Sequence, residues 1–254
     1  MRLLVFDDIS EIVSAERTQA WGEVARRLAH EIKNPLTPIQ LSAERVQHKL
    51  QSKLEGSDAA LLEKSVRTIV DQVDAMKRLV NEFRDYARLP AAELQTLDLN
   101  ALITDVLGLY GAEAQGGVEI VRELDPQCPP IQGDAQQLRQ VVHNLLQNAQ
   151  DACEAMPSHE PRIVIRTEWN PQRQRVRLTV IDSGPGFAPH ILQRAFEPYV
   201  TTKAKGTGLG LAVVKKIADD HRAKIDLANV MQDAGVAGAQ VSLSFTLSNV
   251  QTGA

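Results

Sequence analysis

His30 and Glu31 stand side by side in the stretch from Leu28 to Leu36, whose apolar spacing is helical. An imidazole is a nucleophile when one ring nitrogen keeps its lone pair, and a neighbouring carboxylate can hold the proton on the other. Asn34 follows His30 by four residues, so on a helix the two share a face. Glu31 is turned from His30 by about 100°. Pro35 and Pro38 lack N–H groups, which leaves the carbonyls of Glu31 and Asn34 without helical donors. An interior proline costs about 3 kcal/mol, and this turn is predicted to kink. A histidine on a helix surface is ordinarily a solvated side chain, so the stretch has to be weighed with the second half of the chain.

That half carries three further groups. Asn144, Asn148 and Asp151 recur at i, i+4 and i+7 along a predicted helix over 135–155, opposite an apolar face of Leu138, Val141, Val142, Leu145, Leu146, Ala149 and Ala152. Two amides and a carboxylate on one line can give a hard cation oxygen ligands and still bond a phosphate or a base; a merely wetted helix face would look the same. Asp182 ends an apolar strand and is followed by Gly184 and Gly186, a pattern suited to reading an exocyclic amino group where the backbone must come close. Gly206, Gly208 and Gly210, with Thr207 and Leu209 between them, open a helix and offer its N–H donors to an anion. Between these groups lies a polar, basic segment with Thr201, Thr202, Lys203 and Lys205, fit to close over phosphates. The glycine spacing matches neither the Walker loop nor a strand–G-x-G-x-x-G–helix unit.

Two kinds of element must hold these groups. From about Ser10 to Gln51 one apolar seam reads Trp21, Val24, Leu28, Ile32, Leu36, Ile39, Ala43, Val46, Leu50. Its run of steps of 4 around His30 departs from the alternating 3 and 4 of a coiled coil, which predicts a stutter there. A second helix, Leu62, Val66, Ile69, Val73, Met76, Val80, Phe83, Ala87, alternates regularly, and Gly56, Ser57 and Asp58 supply the stop and start between them. A two-helix hairpin exposes too much of its seam alone, so a four-helix bundle from two chains is expected, against a monomeric hairpin packed on the following domain. Pro90 closes the second helix and 90–98 reads as a linker. Beyond it come helices over 99–110, 135–155 and 208–221, and strands over 118–124, 162–169, 175–182, 224–229 and 239–247. In the last of these, Val241, Leu243, Phe245 and Leu247 are read as facing in, and Gln240, Ser242, Ser244 and Thr246 as facing out. The fold class is α+β: a helical hairpin over 11–89, then a sheet covered by helices on one face over 99–254. Residues 2–9 are strand-like without a partner nearby, which suggests the end of an upstream domain over 1–10.

The bulk properties agree with a soluble globular chain. Its 254 residues are 43% hydrophobic and 24% charged, enough for one or two domains with a core. A net charge of −4 gives no electrostatic pointer to nucleic acid. Cys128 and Cys153 form no metal or redox motif, and no apolar run approaches the roughly 18 residues of a membrane span. The opening residues do not make a signal peptide. A cytoplasmic location without direct membrane contact is expected for this stretch, leaving open a longer chain anchored in the inner membrane. His48, His143, His159, His190 and His221 show no ligand spacing and are assigned no chemistry.

Taken together and in order, these groups resemble the sensor histidine kinases of two-component systems across nearly the whole chain. The H-box is Ala29 to Leu36, the N-box Asn144 to Ala152, the G1 box Asp182 to Gly186, the F-box Phe196 to Tyr199 and the G2 box Gly206 to Leu211. The form of the H- and N-boxes is most similar to the nitrogen-regulation kinases of the NtrB/NtrY type, and Val5 to Ser10 resembles the last strand of a PAS domain. The resemblance implies an α/β-sandwich ATP-binding domain of the histidine kinase/gyrase/Hsp90 type after the dimerisation hairpin. It implies ATP and Mg²⁺ as cofactors, and as partners a second copy of the chain and the receiver domain of a response regulator. His30 would accept the γ-phosphate, Glu31 would polarise its ring, and Asn34 would assist and orient water for dephosphorylating the partner. Asn148 would coordinate Mg²⁺, with Asn144 and Asp151 lining the nucleotide. Asp182 would read the adenine amino group, Gly184 and Gly186 would admit the ring, and Gly206, Thr207, Gly208, Leu209 and Gly210 would wrap the phosphates. Lys203 or Lys205 would neutralise phosphate charge. The phosphoryl group would then pass to an aspartate of the regulator. Two positions depart from the family pattern. Arg222 and Ala223 replace a glycine pair, and a positive φ at Ala223 would cost roughly 1 kcal/mol; Asp151 stands where many relatives carry lysine. A nucleotide-binding dimeric scaffold without kinase activity and a gyrase/Hsp90-type ATPase are the competing readings; neither accounts for a His-Glu-x-x-Asn-Pro turn as well.

Overall fold

The structure, a computed structural model, describes residues 10–87, 89–110, 113–114, 117–155, 161–203, 206–232 and 235–247, and the side chains of the first helix from Arg27 onward. The strand-like run over 2–9, the seam positions Trp21 and Val24, and Lys205 therefore lie outside what is described. The chain divides into two compact units, 1–90 and 91–254.

The first unit is a hairpin of two long helices, α1 (Ser10–Leu50) and α2 (Gly56–Ala87). Helix α1 runs through Pro35 and Pro38 as one continuous helix. The packing between the helices is spaced by sevens: Ala29, Leu36 and Ala43 are buried on α1, and Val66, Val73 and Val80 on α2. Burying a Val or Leu side chain contributes about 1.5–3 kcal/mol. The companion heptad positions stay exposed: Ile32, Ile39 and Val46 on α1, Ile69 and Met76 on α2. Leu28 is exposed to the same degree, at 42%, while Ala29 beside it is only 3% exposed.

The second unit is a six-stranded sheet with helices on one face. Its strands are β2 (Glu113–Ala114), β3 (Val118–Leu124), β5 (Arg162–Asn170), β6 (Arg175–Asp182), β7 (Lys224–Gln232) and β8 (Gly235–Thr246), in the order β2-β3-β5-β6-β8-β7. Among the described strands only β3 and β5 pair in parallel. A separate two-stranded ribbon joins β1 (Gln95–Leu97) to β4 (Ile131–Gly133), so residues read from the sequence as the end of a linker are paired backbone. Helices α3 (Leu99–Tyr110), α4 (Ala135–Ala155) and α6 (Gly210–Asp220) complete the layer, with a single turn α5 (Pro189–Leu192) before α6. Ile163, Ile165, Val176, Leu178, Leu243 and Phe245 of the sheet and Leu138, Val142, Leu145, Leu146, Val214 and Ile217 of the helices are buried together as the core.

Two local expectations change. Ser242 and Ser244 are buried rather than facing solvent, because β8 lies between β6 and β7 and both hydroxyls find neighbours. Ser242 Oγ is 3.2 Å from Thr179 Oγ1, and Arg177 Nε donates to Ser244 Oγ at 3.3 Å. The left-handed residue after α6 is Arg222, with φ of 52°, and not Ala223. Arg222 N–H donates to the Asp219 carbonyl at 2.9 Å and Ala223 N–H to the Ala218 carbonyl at 2.8 Å. This is the paired closure of a Schellman turn, in which the first residue beyond the cap takes the positive φ.

Candidate functional site

Helix α4 begins where Asp134 caps it. Asp134 Oδ1 accepts the N–H groups of Gln136 at 2.9 Å and Gln137 at 3.1 Å, while Oδ2 accepts that of Glu93 at 3.1 Å. Burial alone would raise its carboxyl, but the three N–H donors outweigh burial and hold it below the usual carboxylate range. From this fixed start the apolar face of α4 enters the core, which leaves Asn144, Asn148 and Asp151 half-buried on the other side.

Asp182 ends β6. Its Oδ1 accepts the N–H of Gly184 at 2.9 Å and of Ala239 at 3.2 Å. Burial pushes this carboxyl up, and those two N–H groups and the charge of Lys203 oppose the shift. The close turn requires glycine at 184, where a Cβ would lie 2.7 Å from Ala152 Cβ and 2.9 Å from Asp182 Oδ1. Beyond Gly186 the chain is held by Asn229 on β7, whose Oδ1 accepts Phe187 N–H at 2.7 Å and whose Nδ2 donates to the Phe187 carbonyl at 2.9 Å.

Helix α6 starts at Gly210, two residues later than expected, and its N-cap residue Leu209 makes no side-chain cap. The leading N–H groups of such a helix are donors for an anion. Leu209 is buried, Thr207 Oγ1 accepts its N–H at 3.3 Å, and a Cβ on Gly210 would lie 3.4 Å from Asn148 Nδ2. Gly208 has φ of 71°, and its carbonyl accepts Tyr199 N–H at 3.0 Å; a Cβ there would meet Tyr199 and Val200 backbone within 2.8 Å. Lys203 reaches α4: its Nζ donates to Asp151 Oδ2 at 2.8 Å and Asn148 Oδ1 at 3.2 Å. An ammonium held by an amide and a carboxylate oxygen stands in for a cation, and this donor set fits a hard divalent ion. Among the described residues no three His, Cys, Asp or Glu groups form a metal cluster, so an ion at Asn148 would draw its remaining ligands from water and phosphate.

In the second unit, therefore, Asn148, Asp151, Lys203 and Gly210 lie together, and Asp182 and Gly184 adjoin Ala152 of the same helix. Asn144 is half-buried and makes no described bond to these residues. In the first unit His30, Glu31 and Asn34 are exposed on α1, and the Glu31 carboxylate accepts Arg27 Nε at 3.0 Å rather than facing His30. Asn229 and Ala239 escaped the sequence reading as parts of the site. Asn229 had a legible signal, a polar residue at the inward position of the alternation Ile225, Leu227, Asn229.

Residues 133–249 match the family of histidine kinase-, DNA gyrase B-, and HSP90-like ATPases, and residues 20–92 match the His Kinase A (phospho-acceptor) domain. The chain belongs to the sensor histidine kinases of two-component systems. Among curated relatives of this chain, nitrogen regulation protein NtrY of Azorhizobium caulinodans is 39% identical over 235 residues, covering 92% of the chain and 30% of NtrY. Among solved structures, full-length ShkA in complex with AMPPNP superposes with a TM-score of 0.62 at 25% identity, covering 88% of this chain and 45% of ShkA. The histidine kinase ThkA in complex with the response regulator protein TrrA gives 0.61 at 25% identity, covering 94% and 67%. The expected hairpin and α/β sandwich are those of the family. The chain spans about a third of the length of the curated relatives it matches first, and no described helix is long and apolar enough to cross a membrane.

Proposed function

We propose that the chain binds ATP with Mg²⁺ in its second unit, transfers the γ-phosphoryl group to His30, and passes it on to an aspartate of a response-regulator receiver domain. The observation that carries this reading is the grouping of Asn148, Asp151 and Lys203 beside the uncapped start of α6. It supplies a cation position and an anion position side by side, as phosphoryl transfer needs. Asp182 is the acceptor for the adenine amino group, Gly184 and Gly186 give the ring room, and Gly206 to Gly210 with Thr207 wrap the phosphates. Asn148 is the protein's ligand to Mg²⁺, which neutralises phosphate charge when bound; Asn144 lines the same pocket. His30, exposed and without a hydrogen-bond partner among the described residues, is the acceptor. Glu31 is the group that orients its ring protons once released from Arg27, and Asn34, one turn on, positions water for the reverse dephosphorylation of the regulator.

The exposed heptad positions Ile32, Ile39, Val46, Ile69 and Met76 support pairing of two hairpins into a four-helix bundle. Binding of a nucleotide analogue by ShkA and of a regulator by ThkA supports the ligand and the partner. The test is incubation of the chain with labelled ATP and Mg²⁺, beside His30→Gln and Asn148→Asp. Acid-labile label on the wild type and none on either variant is expected. Acid-stable label, or label that survives His30→Gln, overturns the reading.

A further inference from the structure

We propose that Lys203 is a tethered cation that occupies the metal's place at Asn148 in the nucleotide-free protein, with Asp151 as its counter-ion, so that loading the site requires its displacement. The proposal rests on the nucleotide reading above and adds a competitor built into the chain.

The ammonium is surrounded by three oxygens of α4. Nζ lies 2.8 Å from Asp151 Oδ2, 3.2 Å from Asn148 Oδ1 and 3.5 Å from the Asn148 carbonyl. Asp151 is aimed in turn, since its other oxygen accepts Gln147 Nε2 at 3.1 Å. The backbone that delivers the lysine is folded on itself: Lys203 N–H donates to Thr201 Oγ1 at 3.1 Å, and Gly206 N–H donates to the Lys203 carbonyl at 3.2 Å. A Cβ on Gly206 would lie 2.6 Å from Thr201 Oγ1 and 2.9 Å from Lys203 Cβ. Thr201 thus fixes the backbone from which the lysine projects.

An amide oxygen that accepts an ammonium proton is a poor ligand for a divalent ion, because two cations then crowd one dipole. Mg²⁺ sits at roughly 2.0–2.1 Å from its oxygens, and an ammonium on the same oxygen would repel it. Displacement need not strand a charge: once the ion arrives with its phosphates, the lysine can exchange the Asp151 carboxylate for a phosphate oxygen. The pair is 34% and 38% exposed on its two sides, so it biases the equilibrium by no more than about fivefold. The nucleotide can overcome that, and its apparent affinity is lowered by the fraction of sites in which the lysine is still in place.

This gives Asp151 an unusual sign. A residue that merely lines the pocket weakens binding when altered; a residue that holds back a competitor strengthens it. The test uses the full chain with a fluorescent ADP analogue and Mg²⁺, comparing wild type, Asp151→Asn, Lys203→Met and the double variant, with amide exchange at Gly206 read in the nucleotide-free protein. Asp151→Asn is expected to tighten binding about two- to fivefold. That gain is expected to vanish in the Lys203→Met background, where no lysine remains to be released. Exchange at Gly206 is expected to quicken in both single variants. A gain that persists without Lys203 would reflect simple removal of negative charge and overturns the proposal, as does weaker binding by Asp151→Asn. A wild-type chain that binds no analogue defeats the nucleotide reading and this proposal with it. Gly206 exchange indifferent to Lys203→Met, in a chain that does bind, defeats this proposal alone.

Discussion

The ring of His221 joins the start of one helix to the end of another: its Nε2 accepts the backbone N–H of Asp134 at 2.9 Å. Its Nδ1 lies 2.8 Å from the Ile217 carbonyl. Both contacts are bonds only when the ring is neutral with its proton on Nδ1. The imidazole therefore fastens α4, which carries Asn148 and Asp151, to α6, whose first turn faces Asn148. His221→Ala leaves the Asp134 N–H and the Ile217 carbonyl without these partners, and a loss of about 1–3 kcal/mol is expected in urea unfolding. A loss below about 0.5 kcal/mol, the level of an ordinary surface substitution, would show the joint to be dispensable.

Asp134 makes the same joint sensitive to acid. Its carboxyl is held below the usual range despite burial, so its folded pKa is depressed relative to the unfolded chain. A group of that sign contributes stability that is present above the unfolded carboxylate value, near 3.9, and is lost as pH falls through the folded one. Stability should therefore fall more steeply below about pH 4 in the wild type than in Asp134→Asn. Parallel acid-unfolding curves for the two proteins would contradict the assignment.

Arg222 holds a left-handed conformation that glycine adopts without a Cβ penalty. Arg222→Gly is expected to stabilise the second unit by about 1 kcal/mol, leaving the Ala223 and Arg222 backbone bonds in place. Thermal unfolding reads this as a rise of roughly 2–4 °C. A fall would mean that the arginine side chain holds the turn by contacts that outweigh its backbone strain.

Asp182 should show a conflict between binding and stability. Burial raises its folded pKa, so its contribution to stability is full below the unfolded value and is lost as pH rises through the folded one. Above that folded value the ionised carboxylate is a burden. Asp182→Asn keeps an oxygen for the N–H groups of Gly184 and Ala239 and carries no charge, so a higher melting temperature at pH 7 is expected. Nucleotide binding should weaken by at least about tenfold, because a charge-assisted bond is lost. A variant that melts lower than the wild type would refute the first half, and unchanged nucleotide affinity the second.

Much of this architecture was legible in the residues. The alternation of 162–169 and 175–182 located the central strands, and the apolar face of 135–155 located the helix that carries the asparagines. The ribbon of β1 and β4 escaped because three residues carry too little periodicity, and β8 begins at Gly235 because a run of small residues hides its alternation. Ala29 escaped the reading of the hairpin: Leu28 is the larger apolar residue, so a pattern of hydrophobicity selects it, whereas close packing of two helices buries the methyl of Ala29. The grip of Asp151 on Lys203 was illegible, since it joins residues 52 apart that no local period connects. Arg222 was noticed as a departure, but which residue of the pair turns left depends on where α6 stops, a boundary that sequence places only to within a residue or two.

Ala29 and His30 are consecutive, one sealed between the helices and the other in water. Turning α1 by one residue's worth of twist, about 100°, would bring an imidazole where a methyl is now buried, so crowding opposes a rotation of that size at this point. A rotation of that size would have to disrupt a whole layer of the hairpin at once. The alanine acts as a detent, and enlarging it to valine or leucine should loosen the hairpin where it presents the histidine.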